Sequence, residues 1–225
     1  KNVKNYYQKK FNINPDKIIV APSGTSIENK IFDNTSKNKK KLNIGYFGSL
    51  YKSRGVDLIL KLSKIDRENN YFIFGNLENY KNLKNKNNNH NLYLSDYLPY
   101  KEIPKNILKM DVLLMPYQKK IVAAGNVGNI TDFTSPLKLF DYMACGKIII
   151  SSQVNVLQEI LKENKNAIFI KNFNNAFAWK NEIQKIKYSN NKRLIISQNN
   201  LEISKKYKLK KRAQKILDSL SLNKS

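Results

Sequence analysis

The sequence has one cysteine and one histidine. A single cysteine forbids an internal disulfide and points to no oxidising compartment. Cys145 and His90 lie far apart, and one of each assembles neither a zinc site nor a Cys–His dyad. Metal and thiol chemistry are therefore set aside, and no metal is expected. Cys145 reads as a small buried helix residue, and His90 as exposed and inert. No stretch reaches the roughly 18 apolar residues of a membrane span. Near Lys1 there is neither an apolar run nor a small-residue cleavage site. The chain does not begin with Met, so it is expected to be a soluble fragment of something longer.

Acidic residues are also scarce, 17 against 41 Lys and Arg, which leaves a net charge of +24. Three explanations compete: compositional drift, since Lys, Asn and Ile are abundant together; attraction to an anionic membrane surface; and nucleic-acid binding. The basic residues are scattered, with modest clusters at 37–41 and 205–212, and the 13 tyrosines are too dispersed for a base-stacking platform. Scatter favours drift, then the membrane, and places nucleic acid last. Hydrophobic residues at 41% suffice to build a core despite the charge.

Residues 1–12 read as the end of a helix, 17–21 as a short strand broken by Pro22 and Gly24, and 33–41 as a polar linker. Beyond Leu42 strands and helices alternate. Strands are expected at 42–47, 71–75, 92–95, 111–117, 147–152 and 167–170. Helices are expected at 56–65, 103–109, 136–145 and 156–162, with Lys- and Asn-rich helices to the end, one of them carrying Trp179 as core packing. Residues 76–91 read as loop or frayed helix, with 82–91 low in complexity and exposed, and 118–134 as a long loop. The run DVLLMPY is apolar throughout, as in a strand buried on both faces. The alternation implies an α/β fold, a Rossmann-like parallel sheet with helices on both faces.

In such sheets ligands sit beyond the carboxyl ends of the strands. After the first strand, Gly48 allows a tight turn, Arg54 adds a fixed charge, and a helix starting near Gly55 offers free N–H groups. An ordinary connection with a solvated arginine reads equally well; the turn is neither the dinucleotide G-x-G-x-x-G pattern nor a phosphate-binding P-loop. In TSPLKLFDYMACGK, Ser135 suits an N-cap, Pro136 the first helical position and Gly146 the terminator. Leu137, Phe140 and Ala144 form one stripe, expected to be buried, and Lys138 and Asp141 share another face. A cation near the helix start and a carboxylate further along suit a nucleoside diphosphate. A surface Lys–Asp pair worth a few tenths of a kcal/mol is the plainer alternative.

The segments FGSLYKSRGVDLIL, NLYLSDYLPYKEIPKNILKMDVLLMPY and TSPLKLFDYMACGKIIISS resemble, in order and spacing, the C-terminal donor-binding domain of group 1 (family 4) retaining glycosyltransferases of GT-B fold. NVLQEILKENKNAIFI, IIVAPSGTS and the closing KKYKLKKRAQKIL resemble that family more weakly. The resemblance divides the chain into 1–41, the end of an N-terminal domain and its linker; 42–205, the nucleotide-sugar-binding domain; and 206–225, a C-terminal helix. It implies transfer of a glycosyl group, with retention, from a UDP- or GDP-sugar to a hydroxyl acceptor in bacterial surface polysaccharide or glycolipid synthesis. The implied location is cytoplasmic, at the inner face of a membrane. Arg54 and Lys138 would be catalytic, meeting the charge that grows on the leaving diphosphate. Gly48 and Ser49 would also hold the diphosphate, Ser95, Asp96 and Tyr97 the base, Thr134, Ser135, Pro136 and Leu137 the distal phosphate and sugar, and Asp141 the ribose.

Three positions depart from the family pattern. Asp141 stands for a glutamate, Phe133 occupies the place of a second glutamate that Asp132 could replace, and Ser49 stands where arginine is common, which leaves charge to Arg54, Lys138 or Lys52. No cofactor is implied. The expected partners are the sugar nucleotide, a missing N-terminal acceptor domain and an anionic membrane, with no nucleic acid. The isolated chain is expected to bind donor but transfer little sugar. A basic nucleic-acid module, a GT-B nucleotide-sugar epimerase and a non-catalytic relic are the rivals.

Overall fold

A computed structural model describes residues 2–28, 39–80, 89–123 and 128–221. Most of the expected linker at 33–41, and most of the Asn/Lys stretch at 82–91, lie outside these residues.

The described residues form six strands: β1 (Asn43–Phe47), β2 (Asn70–Phe74), β3 (Leu92–Ser95), β4 (Val112–Met115), β5 (Ile148–Ser152) and β6 (Ile168–Ile170). The helices are α1 (Asn2–Phe11), α2 (Val56–Ile65), α3 (Ile103–Leu108), α4 (Leu137–Ala144), α5 (Asn155–Gln158), α6 (Ala176–Lys187), α7 (Asn190–Ser204) and α8 (Leu209–Ser221). The strands make one parallel sheet in the order β3-β2-β1-β4-β5-β6. It is the Rossmann-like α/β architecture expected from the alternation.

The apolar runs explain the layering. Side chains alternate across a strand, so Val112 and Leu114 of β4 join the core under α2 and α6, while Leu113 and Met115 join the core under α3, α4 and α5. Ile148 and Ile150 of β5 likewise face one way and Ile149 the other. A strand buried on both faces cannot alternate apolar with polar, which is why β4 and the first three residues of β5 read as continuous hydrophobic segments. Trp179 on α6 is fully buried in the first core, its Nε1 donating to the Phe173 carbonyl at 3.0 Å, and Cys145 is buried in the second. His90 is exposed.

β1, β2 and β3 step one way across the sheet, and β4, β5 and β6 the other. The order reverses between β1 and β4, so the loops leaving them diverge and open a crevice at the carboxyl ends of the strands. Gly55, at the start of α2, packs against the segment leaving β4. Its φ is +79°, and a Cβ there would lie 1.8 Å from the Pro116 carbonyl oxygen after β4, so only glycine fits.

Three local expectations change. Residues 17–21 belong to no strand: Pro15–Lys17 is a 3-10 turn, and the carbonyls of Ile18 and Val20 accept instead from Lys4 and Lys215. The apolar spacing was strand-like, but no sheet edge lies alongside. Thr25 further on is the residue that pairs, forming a parallel bridge with Lys208 at the approach to α8. The helix expected at 156–162 is a single turn, α5. At α4, Pro136 occupies the N-cap position without a side-chain cap, because the Ser135 hydroxyl bonds to that of Ser23 at 2.8 Å.

Candidate functional site

The crevice is a cleft of about 380 Å³. One end is built from the β1–α2 turn and the start of α4. Gly48 leaves β1 with φ +137° and its N–H bonded to the Phe74 carbonyl at 2.9 Å. A Cβ at Gly48 would lie 2.7 Å from Lys138 Nζ, so the missing side chain makes room for the lysine. The ammonium lies over the Tyr46 ring at 3.8 Å and 5.7 Å from that of Tyr117; Arg54 lies over the other ring position, 5.2 Å from the Tyr117 centroid. Neither cation has a carboxylate partner among the described residues. Aromatic faces offset part of the desolvation cost, but two neighbouring cations without counter-ions still repel. Burial pulls the Lys138 ammonium well below the usual lysine value, and the Arg54 charge pulls the same way. Burial also pushes the Tyr117 hydroxyl up, opposed by Arg54. An anion bound here would relieve both strains.

The walls are rigid. The Tyr46 hydroxyl donates to the Ser49 carbonyl at 2.7 Å and fixes the turn. The buried Tyr142 hydroxyl accepts from the Phe47 N–H at 2.9 Å, tying α4 to the end of β1. Phe47 and Phe74 stack at 4.4 Å, and with Leu98, Ile103 and Ile107 they give the cleft an apolar side.

The other end carries Asp141. Its Oδ1 accepts from Thr25 Oγ1 at 2.6 Å and from the Tyr100 hydroxyl at 3.1 Å. Burial raises the pKa of this carboxyl, and the two hydrogen bonds oppose the rise. The surface-pair alternative for Lys138 and Asp141 fails: both line the cleft, and no ion pair joins them.

Of the residues singled out from the sequence, Gly48, Ser49, Arg54, Tyr97, Thr134, Ser135, Leu137, Lys138 and Asp141 line this cleft. Ser95, Asp96 and Pro136 do not. The Ser95 carbonyl accepts from the Gly75 N–H, and Asp96 is exposed with Oδ1 on the Tyr97 N–H. Pro136, Asp132 and Phe133 line a separate groove beside α1, where Phe133 packs edge-on against Tyr6 at 4.8 Å. Leu137, expected on the buried stripe, is 60% exposed at the cleft mouth, because α4 begins there and the core closes only from Leu139 onward. The Lys52 side chain lies outside what is described. Thr25, Tyr46, Tyr100 and Tyr117 were missed. Their roles come from contacts across the fold; only the apolar–polar border at PSGTS hinted at Thr25.

A parallel α/β domain with its cleft at the switch point is the architecture of one half of a GT-B glycosyltransferase, and the solved structures agree. HepE of Anabaena, crystallised with UDP-glucose, superposes with TM-score 0.62 at 14% identity, covering 80% of this chain and 49% of that one. Sucrose-phosphate synthase of Thermosynechococcus elongatus gives 0.75 at 14%, over 99% and 57%. The C-terminal domain of the group 1 glycosyl transferase LpcC of Francisella tularensis gives 0.56 at 14%, over 84% and 97%. At these identities the likeness is one of fold. The chain spans about half the length of the HepE structures it matches. No curated protein matches its sequence. The sequence profile described as glycosyl transferases group 1 matches residues 27–203, and the chain belongs to that family.

Proposed function

We propose that this chain is the donor-binding half of a retaining glycosyltransferase: it holds a nucleoside diphosphate sugar in the switch-point cleft and, with an acceptor-binding half, passes the glycosyl group to a hydroxyl. The observation that carries the reading is the pair Arg54 and Lys138, two cations with no carboxylate partner among the described residues, at one end of a cleft whose other end presents a carboxylate. A diphosphate satisfies the first and a ribose diol the second. The apolar side at Phe74, Leu98 and Ile103 suits a base, and the exposed Tyr97 could close over it.

As the glycosyl–phosphate bond breaks, negative charge grows on the departing diphosphate. Arg54 and Lys138, already fixed against Tyr117 and Tyr46, stabilise that charge without reorganising. The α4 N-terminus at Leu137 adds its dipole. In this reading Arg54 and Lys138 supply the positive charge, and no metal or cofactor is expected to be needed. Among the described residues no cluster of three or more His, Cys, Asp or Glu is placed to hold a metal ion.

In this reading residues 1–41 join the two halves, 42–205 bind donor, and the C-terminal helix from 206 returns toward the junction. The contacts of α8 with residues 20 and 25 support that course. The sugar nucleotide and the setting, surface polysaccharide or glycolipid synthesis at an inner membrane face, follow from the family. No helix among the described residues is long and apolar enough to cross a membrane, and the +24 charge suits an anionic surface.

Calorimetric titration with UDP, GDP, ADP and CMP tests the reading. One diphosphate is expected to bind in the micromolar-to-millimolar range, with Arg54→Ala and Asp141→Ala both weakening it and little sugar transfer by the chain alone. A chain that binds an oligonucleotide but no diphosphate, or whose diphosphate affinity ignores both substitutions, refutes it.

A further inference from the structure

Asp141 accepts two side-chain hydrogen bonds on one oxygen, and the residues that donate them lie far away in sequence. Thr25 is 1% exposed, and its hydroxyl oxygen accepts from the Ile27 N–H at 3.0 Å. The hydroxyl proton is thereby aimed at Asp141 Oδ1. The Tyr100 oxygen accepts from Ser26 Oγ at 3.2 Å, which turns its own proton to the same Oδ1. Oδ1 is thus occupied by two donors, while Oδ2 has no hydrogen-bond partner among the described residues. Thr25 itself is pinned: its N–H donates to the Tyr207 carbonyl at 2.9 Å, and its carbonyl accepts from the Leu209 N–H at 3.1 Å, at the start of α8.

Resting on the nucleotide reading of the cleft, we propose that Thr25 and Tyr100 are positioning residues that lock Asp141 with Oδ2 presented to the 2′- and 3′-hydroxyls of a ribose, so that the site selects ribonucleotides over 2′-deoxyribonucleotides. A carboxylate free to rotate would offer either oxygen at any angle and lose rotamer entropy on binding. One whose Oδ1 is already saturated offers a single acceptor in a fixed place. Selection then comes from the charge-assisted hydrogen bond that Oδ2 loses when the 2′-hydroxyl is missing.

The test titrates the 225-residue chain with UDP, 2′-deoxy-UDP, GDP, 2′-deoxy-GDP and pyrophosphate. The unaltered chain is expected to bind the ribonucleotide about tenfold tighter than its deoxy analogue, the effect of one charge-assisted hydrogen bond. In Thr25→Val and Tyr100→Phe both nucleotide affinities fall, the ribonucleotide's further than the deoxynucleotide's, so the preference narrows, while pyrophosphate affinity stays as it was. Thr25→Ser, which keeps the hydroxyl, restores the preference. A merely structural role would weaken all five ligands together and leave the ratio unchanged, and that result overturns the inference while leaving the nucleotide site intact. Absence of any preference in the unaltered chain also overturns it. Failure of every nucleotide to bind the unaltered chain removes the site and the inference together.

Discussion

Lys147 immediately precedes β5, just after the helix that carries Lys138 and Asp141, and it is 1% exposed. Its ammonium donates to the Leu108 carbonyl at the end of α3 at 2.9 Å. The carboxylate that helps it, Asp111, is already engaged by Lys39 at 2.7 Å and by the Asn43 N–H. Burial therefore dominates and pulls the Lys147 pKa from 10.5 to about 8. The folded-state value is depressed, so between about 8 and 10.5 the unfolded chain binds more protons than the folded one, and stability rises with pH in that window. From pH 7 to pH 9 the gain attributable to this group is roughly 1.3 kcal/mol, at about 1.4 kcal/mol per pH unit once the group titrates. Lys147→Met keeps the volume and removes the charge. It leaves the Leu108 carbonyl without its donor, a cost of about 1 kcal/mol, but it abolishes the pH-dependent part. The assay is urea unfolding at pH 7.0 and 9.0, followed through the buried Trp179. The unaltered chain should gain stability between the two conditions by roughly 1.3 kcal/mol more than Lys147→Met does. Equal changes in both proteins would refute the reasoning, since all other titrating groups are common to them.

Two further outcomes are expected. Diphosphate binding supplies Lys138 with a counter-charge that no described residue gives it and raises its depressed pKa, so binding should take up protons between the two values and weaken as pH climbs through that window; titration in two buffers of different ionisation enthalpy measures this, and Lys138→Met should abolish the uptake. Gly55→Ala drives a methyl group into the Pro116 carbonyl at a left-handed position, and should cost about 3 kcal/mol or more in urea unfolding or leave the chain insoluble; an unchanged midpoint would show that the β1–α2 turn is not fixed as described.

Much of the architecture was legible because it is written locally. The helical spacing of Val56, Ile59 and Leu62 reproduces α2, and the unbroken apolar runs at 112–115 and 148–150 fall in β4 and β5. Hydrophobic period and chain length suffice for such elements, since each side chain needs only a core, not a particular neighbour. The strand expected at 17–21 failed for the converse reason. A strand exists only when another edge accepts its hydrogen bonds, and pairing partners are not encoded in the segment itself.

The cleft divides along the same line. Residue types that suit a diphosphate and a ribose, Arg54, Lys138 and Asp141, could be chosen from turn and helix positions, and the fold brings them to one cavity. What tertiary structure alone decided is their state. Tyr46 and Tyr117 lie 92 and 21 residues from Lys138 along the chain yet supply the surfaces its ammonium meets, and Thr25 reaches Asp141 across 116 residues. Desolvation, the absence of a counter-ion and the saturation of one carboxylate oxygen are properties of what surrounds a group. A sequence determines which groups are available and which elements bear them; only the packed sheet determines which charges are left without partners, and it is these that give the cleft its chemistry.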